Sequence, residues 1–218
     1  MRNLADIMDY LDEWVVQHGK YVKPDEVPDT ASNSLKLGHI IKAHQLGIQQ
    51  VREEIKDLIQ VVLDKKLDGR VLEIGLGYYG GTHMLWRQIF KEVVTIEYSR
   101  PVIWKFKFRE RVNSRSKVIL GNSQKEETWK KVKEFGEFDM LFIDGDHTYM
   151  GITRDYNWYH GLVKTGGIIV FHDSICRVNG FGITEFLKDL ASGKIDDNRH
   201  NIKQIVHSDY VGIAYIEK

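Results

Sequence analysis

Five short apolar runs constrain this chain most: RVLEIG at 70–75, VVTIE at 93–97, KVIL at 117–120, FDMLFID at 138–144 and GGIIVFHD at 166–173. Helical-looking segments, about 81–90, 102–112, 125–135 and 150–163, lie between and after them. Alternation of this kind predicts βαβ units and a parallel sheet buried on both faces. The C-terminal part differs. After a helix near 182–191 come IKQIVHS and VGIAYIEK, separated only by Asp209-Tyr210. Strands so close predict an antiparallel hairpin, because a parallel return needs a crossover of about a dozen residues.

The first third has another pattern. Leu4, Ile7, Met8, Leu11 and Val15 recur at helical spacing over 3–18, and His18-Gly19 stops that helix. The Pro24 to Pro28 segment reads as a loop. A second helical region is expected over roughly 33–65, with Ile48, Val51, Ile55, Leu58, Ile59 and Val62 on one side. Residues 1–66 are therefore expected to form a helical extension that caps a crevice or makes a dimer contact. Residues 67–218 are expected to hold the sheet.

Charge narrows the partners. Thirty-one basic and 31 acidic residues give a formal net charge of zero, so no whole-molecule field draws the chain to nucleic acid or anionic membrane. The alternation of bases and aromatics over Trp104–Arg109 is read as a half-buried amphipathic helix rather than a nucleic-acid surface. A single cysteine, Cys176, excludes an internal disulfide and suits a reducing compartment; it is expected to be a quiet core thiol. No apolar run approaches the length of a membrane span, and the first residues carry acids where a signal peptide is apolar. The expected setting is the cytoplasm and the expected partner a small molecule.

VLEIGLGYYGGT, residues 71–82, sets Gly75, Gly77 and Gly80 in G-x-G-x-x-G order between a strand and a helix. The first glycine permits a tight turn and the second lets a ligand approach the backbone. Glu97, ending the next strand, can accept from both ribose hydroxyls of a nucleotide. Dinucleotide and S-adenosylmethionine sites share these features. Glu73, two residues before the first glycine, would repel a pyrophosphate and suits a cationic sulfonium with an amino-acid tail.

Two more strand ends carry ionisable groups. Asp144, Asp146 and His147 follow one apolar run, and His172-Asp173 end another. Ligands of a parallel sheet bind outside the carboxyl ends of its strands, so neighbouring tips would aim both clusters into one crevice. Asp144, His172 and Asp173 could then share one cation, with His147 free beside them. Asp146 is read as the cap of a helix starting near Thr148. Tyr149 could border an acceptor, Trp158 is expected to pack on the sheet, and Arg154 and Asp155 look solvated. His39, His44 and His83 lack ligand spacing.

EIGLGYYGGT, the acid of TIEYS, GNS at 121–123, FIDGDHTY and GGIIVFHD together resemble class I S-adenosylmethionine-dependent methyltransferases. The resemblance is to the branch of cephalosporin-hydroxylase-like proteins and metal-dependent sugar O-methyltransferases, and covers about residues 68–176. It implies a Rossmann-like fold: a seven-stranded, mostly parallel sheet with a C-terminal antiparallel hairpin, preceded here by N-terminal helices. It also implies roles. Glu73, Gly75 and Gly77 would line the methionine and ribose part of S-adenosylmethionine, Glu97 would hold the ribose and Tyr98 would lie beside the adenine. Asn122 and Ser123 would approach the adenine ring, and Asp144 would close the site. Acids at the positions of Asp144, His172 and Asp173 bind magnesium in those enzymes, and a histidine at the position of His147 is the general base. His172 departs from that pattern. Imidazole suits manganese, iron or zinc better than magnesium, so His172 is either a ligand or a hydrogen-bonding neighbour of the ligands.

The expectation is methyl transfer to a small-molecule hydroxyl, aided by magnesium or manganese, in a chain that could self-associate through its N-terminal helices. Rival readings are a nicotinamide-dependent oxidoreductase, a non-haem-iron centre built from His147, His172 and one acid, and a binding module without catalysis.

Overall fold

A computed structural model describes residues 2–23, 46–110 and 114–218. Helix α1 (Leu4–His18) begins where Asn3 accepts a hydrogen bond from the Asp6 amide at 2.9 Å, and ends at Gly19 with φ 147°. The Pro24–Pro28 loop, residues 33–45 of the second expected helix, and His39 and His44 lie outside the described residues. The rest of that expected helix needs correction. Leu46–Val51 is a strand, β2, paired in parallel with β1 (Lys20–Val22), and helix α2 runs only from Arg52 to Asp64. Gly47 disfavours a helix, while β-branched Ile48 and Val51 fit an extended ladder. Their spacing from Ile55 arises where a period-2 segment runs into a period-3.6 one.

The remaining elements are β3 (Arg70–Ile74), α3 (Gly81–Trp86), β4 (Glu92–Glu97), α4 (Arg100–Arg109), β5 (Ser116–Leu120), α5 (Glu126–Lys133), β6 (Phe138–Ile143), α6 (Tyr149–Tyr159), β7 (Val163–His172), α7 (Ile183–Ser192), β8 (Lys203–Ile205) and β9 (Ile213–Glu217). The main sheet has seven strands in the order β5-β4-β3-β6-β7-β9-β8. It is parallel from β5 to β7 and antiparallel at β9 and β8. This is the parallel sheet expected from the alternating runs, in the Rossmann-like arrangement that the family resemblance implies.

Strand alternation builds two cores. Val71, Val93, Met140, Phe142 and Val170 face one side, where Leu11, Trp14, Leu58, Ile59 and Trp86 of α1, α2 and α3 meet them. Leu72, Ile74, Val94, Leu141, Ile143 and Phe171 face the other, against Ile152, Tyr156 and Tyr159 of α6 and Phe186 and Leu190 of α7. Each such fully buried aliphatic or aromatic side chain contributes roughly 1.5–3 kcal/mol. The N-terminal helix thus packs into the same core as the sheet.

The terminal hairpin is antiparallel as expected, but its connection is longer than Asp209-Tyr210. β8 ends at Ile205 and β9 starts at Ile213. Backbone pairing continues past β7 instead: Ser174 N donates to Gly212 O at 3.1 Å and Ile175 N to Val211 O at 3.2 Å. Fully buried Glu54 of α2 fixes the connection by accepting from His207 N (2.9 Å), Ser208 Oγ (2.8 Å) and Gly212 N (3.2 Å). Among the described residues no helix is long and apolar enough to cross a membrane.

Candidate active site

β3 lies between β4 and β6, so the chain leaves its tip in opposite directions on its two sides and a crevice opens there. Gly75, at that tip, has φ 95°, and a Cβ on it would collide with the Asp144 carbonyl oxygen. The tips of β3 and β6 can therefore touch only because position 75 lacks a side chain. Asp144 N donates to Ile74 O at 2.9 Å across that seam. Gly77 (φ 65°) continues the turn, and Gly80 (φ 70°) precedes α3 with no room for a Cβ against the Phe106 ring. Above the turn is a narrow cleft open to solvent, lined by Ile48–Gln50 of β2, Leu76–Thr82 and Asp144.

Glu97 ends β4 beside this turn. Its carboxylate accepts from Leu76 N at 3.2 Å and Ser99 N at 2.7 Å, tying the glycine turn to the next strand. Burial pushes its pKa up, against backbone hydrogen bonds from Ser99, Leu76 and Tyr98 that pull it down; the charge of Glu73 adds to the rise. Tyr98 projects into solvent. Asn122 is exposed, its Oδ1 accepting from Gln124 N at 2.8 Å, and half-buried Ser123 accepts the Tyr159 hydroxyl at its carbonyl. Glu73 is fully buried beneath α3. Thr95 Oγ1 donates to its Oε2 at 2.6 Å, leaving His83 Nδ1–H to donate to Thr95 and His83 Nε2 to accept from Ser116. Glu73 Oε1 has no partner among the described residues.

β6 and β7 are neighbours, with Ile143 opposite Phe171, so Asp144 and His172-Asp173 emerge side by side. His147 Nε2 lies 3.1 Å from Asp144 Oδ1 and 3.3 Å from Asp173 Oδ2. His172 Nδ1 lies 3.1 Å from Asp144 Oδ1 and 3.5 Å from Asp173 Oδ1. Potential ligand atoms from all four residues fall within 4.8 Å of one another. Asp173 takes a left-handed φ of 56°. The His147 ring stacks on Phe181 at 4.6 Å. Burial would raise the Asp144 carboxyl, but the charge of His172 and hydrogen bonds from both imidazoles hold it well below the usual carboxylate range. Burial disfavours each imidazolium. The hydrogen bond that His147 donates to Asp144 and the charge of Asp173 raise His147 above its ordinary value, and Asp173 and Asp144 raise His172 to about 9.

Several neighbours differ from expectation. Thr148, not Asp146, caps α6, accepting from Gly151 N at 3.0 Å; Asp146 instead accepts from Thr148 N and Gln124 Nε2 in the turn before it. Asp155 is fully buried on the inner face of α6, whereas Arg154 is exposed. The Tyr149 hydroxyl donates to Asp189 of α7 at 3.0 Å. Trp158 packs against Trp129, and buried Cys176 has its thiol pushed up to about 11, chiefly by burial and then by Asp173. On α4, Ile103 and Phe106 are buried while Trp104 and Phe108 stack on each other in solvent. No motif in the sequence marks Gln49 and Gln50 of β2 or Phe181. The adjacent glutamines of LGIQQV are the one available signal, a polar interruption in an apolar stretch.

A family model described as a methyltransferase domain matches residues 72–174. An uncharacterized protein of Acanthamoeba polyphaga mimivirus is 54% identical over 35 residues, 16% of each chain. An uncharacterized protein of Sinorhizobium fredii is 33% identical over 60 residues, 27% of this chain and 6% of that one. These matches thus span only a small part of either relative. Among solved structures, a putative caffeoyl-CoA O-methyltransferase from Staphylococcus aureus is 19% identical, covering 97% of this chain and 99% of its own, with TM-score 0.62. A methyltransferase of Podospora anserina bound to SAH is 19% identical, covering 100% and 97%, with TM-score 0.60. The MycE methyltransferase of the mycinamycin pathway, with Mg, SAH and mycinamycin VI, is 20% identical, covering 74% of this chain and 48% of that one, with TM-score 0.55. The cleft over the glycine turn of 75–80 and the acids at the tips of β6 and β7 thus lie in a chain of class I methyltransferase fold, whose residues 72–174 match the methyltransferase-domain model.

Proposed function

We propose that this chain transfers a methyl group from S-adenosylmethionine to a hydroxyl of a small molecule, with a divalent cation at the Asp144–Asp173 pair. One observation carries the reading: Asp144 borders both the cleft over the glycine turn and the cluster with His147, His172 and Asp173. The SAH-bound Podospora methyltransferase, the Staphylococcus O-methyltransferase and magnesium-bearing MycE support it.

The residues fit an S-adenosyl nucleoside. Gly75 and Gly77 make a floor without side chains, Glu97 offers its free lone pairs to the ribose hydroxyls, and Glu73 lies beneath the methionine and ribose part. Tyr98, Asn122 and Ser123 border the adenine, and Asp144 closes the far end. The cofactor supplies an activated methyl on a sulfonium, so the protein needs chiefly to align the acceptor and remove its proton.

The donor set also fits a cation. Asp144 and Asp173 carry the charge, and a bound divalent ion supplies Lewis acidity that lowers the pKa of a nearby hydroxyl. His172 Nε2 is buried with no partner among the described residues. His172 Nδ1 lies 3.1 Å from Asp144 Oδ1, where an Nδ1–H donates to the carboxylate and leaves no lone pair on that nitrogen for a metal. This favours His172 as the group that orients Asp144, with Asp144, Asp173 and water on the ion. His147, between the two carboxylates and held by Phe181, is the general base. Its neighbours raise its proton affinity, and its ring is fixed for one direction of transfer. β2 walls the cleft, which supports residues 1–66 as a cap over the crevice.

Calorimetric titration with S-adenosylhomocysteine, with and without Mn²⁺, tests cofactor and ion together. Absence of nucleoside binding would discard the reading. On an identified acceptor, His147→Ala is expected to lower kcat about 100-fold or more while SAH affinity stays unchanged; undiminished kcat would remove His147 as base.

A further inference from the structure

Gln50 lies in β2, outside the residues that match the methyltransferase-domain family. It lines the cleft and is fully buried, and neither its amide nitrogen nor its amide oxygen has a hydrogen-bond partner among the described residues. A buried amide unsatisfied at both ends is costly unless something outside the protein completes it. Gln49 lines the same cleft, its Oε1 leaning over the turn to within 3.1 Å of where a Cβ on Gly77 would stand.

The wall therefore offers amide N–H donors and amide oxygens, with no lysine, arginine or histidine lining it among the described residues. A phosphate would find no cation on this wall. A zwitterion fits: its ammonium toward the amide oxygens, its carboxylate toward the amide N–H groups. Position agrees. Glu97 stands at the tip of β4 on one side of β3, and the cleft opens on the other side, toward β6 and β2. A nucleoside with its ribose on Glu97 and spanning the tip of β3 would put a tail there.

We infer that Gln50, aided by Gln49, holds the amino-acid tail of the S-adenosyl cofactor. It is a positioning residue that sets the sulfonium beside the Asp144–Asp173 cluster. The inference rests on the S-adenosyl reading above and adds the group that recognises the tail.

The test compares S-adenosylhomocysteine with 5′-methylthioadenosine, which keeps the nucleoside and thioether and lacks the amino-acid tail. Both are titrated calorimetrically into the full chain and into Gln50→Leu, which keeps the volume and removes both polar ends. The expected result is a Kd for S-adenosylhomocysteine raised about tenfold or more, the scale of one lost hydrogen bond to a charged group. The Kd for methylthioadenosine should not move, and the thermal midpoint of the free protein should be unchanged or higher. No change for either ligand, or an equal loss for both, overturns the assignment. Should Gln50→Leu fail to fold, Gln50→Glu keeps the shape while setting a negative charge against the tail carboxylate, and must show the same selective loss. If the wild-type chain binds neither ligand, the S-adenosyl reading itself fails. If it binds both and the variants discriminate nothing, only the role of Gln50 falls.

Discussion

Burial pushes the Asp155 carboxyl up to about 7; the Asp146 charge adds to the rise and the Ser123 hydroxyl offsets part of it. Neither Asp155 oxygen has a hydrogen-bond partner among the described residues that meets ordinary geometry. Because the folded value lies above the unfolded one, the unfolded chain loses its proton first as pH rises. Stability is therefore full below about pH 4 and falls between about 4 and 7, beyond which the penalty is constant. Asp155→Asn should raise stability at pH 8 by on the order of 2–4 kcal/mol and leave it unchanged near pH 4. Urea melts at the two pH values check this; an equal effect at both would show that the charge is not the cause. The position was partly legible. Residue 155 falls on the Ile152–Tyr159 face of α6 by helical spacing, yet an acid there argued for solvent. The opposite holds for Asp144, His147, His172 and Asp173. Their strand-end positions sufficed to bring them together, because the tips of neighbouring parallel strands have few directions to point.

At the scale of elements, the same glutamate-rich start that makes α2 soluble on one side supplies the anchor of the C-terminal hairpin. Glu54 is fully buried and receives three hydrogen bonds from the connection between β8 and β9. Glu54→Ala would strand three donors, two of them buried, and should cost roughly 3–5 kcal/mol. That corresponds to a fall of about 6–20 °C in Tm for a chain of this size, measurable by circular dichroism. An unchanged Tm would mean that water replaces the carboxylate and that the hairpin holds itself. Contacts of this kind explain what the sequence hid. The five central strands declared themselves as apolar runs with turn residues at their ends, and their parallel pairing followed from the alternation with helices. β2 did not, since its identity depends on pairing with Lys20–Val22, far away in sequence. The hairpin loop length likewise depends on Glu54, whose partners lie more than 150 residues away.

For the whole molecule, the sheet order sets the function. With β3 flanked by β4 and β6, the glycine turn faces Glu97 on one side and Asp144 on the other, and β7 brings Asp173 alongside. The residues proposed for nucleoside, cation and base are thus brought together by topology, with β2 from the N-terminal third closing the wall. That S-adenosylmethionine and a divalent ion share this one cleft can be measured by NMR, with cofactor carrying ¹³C in its methyl group and Mn²⁺ added to the protein. The account predicts strong paramagnetic broadening of the methyl resonance, abolished in Asp173→Asn, a change the left-handed backbone at 173 tolerates. A methyl line that stays sharp while both cofactor and Mn²⁺ are bound would contradict it.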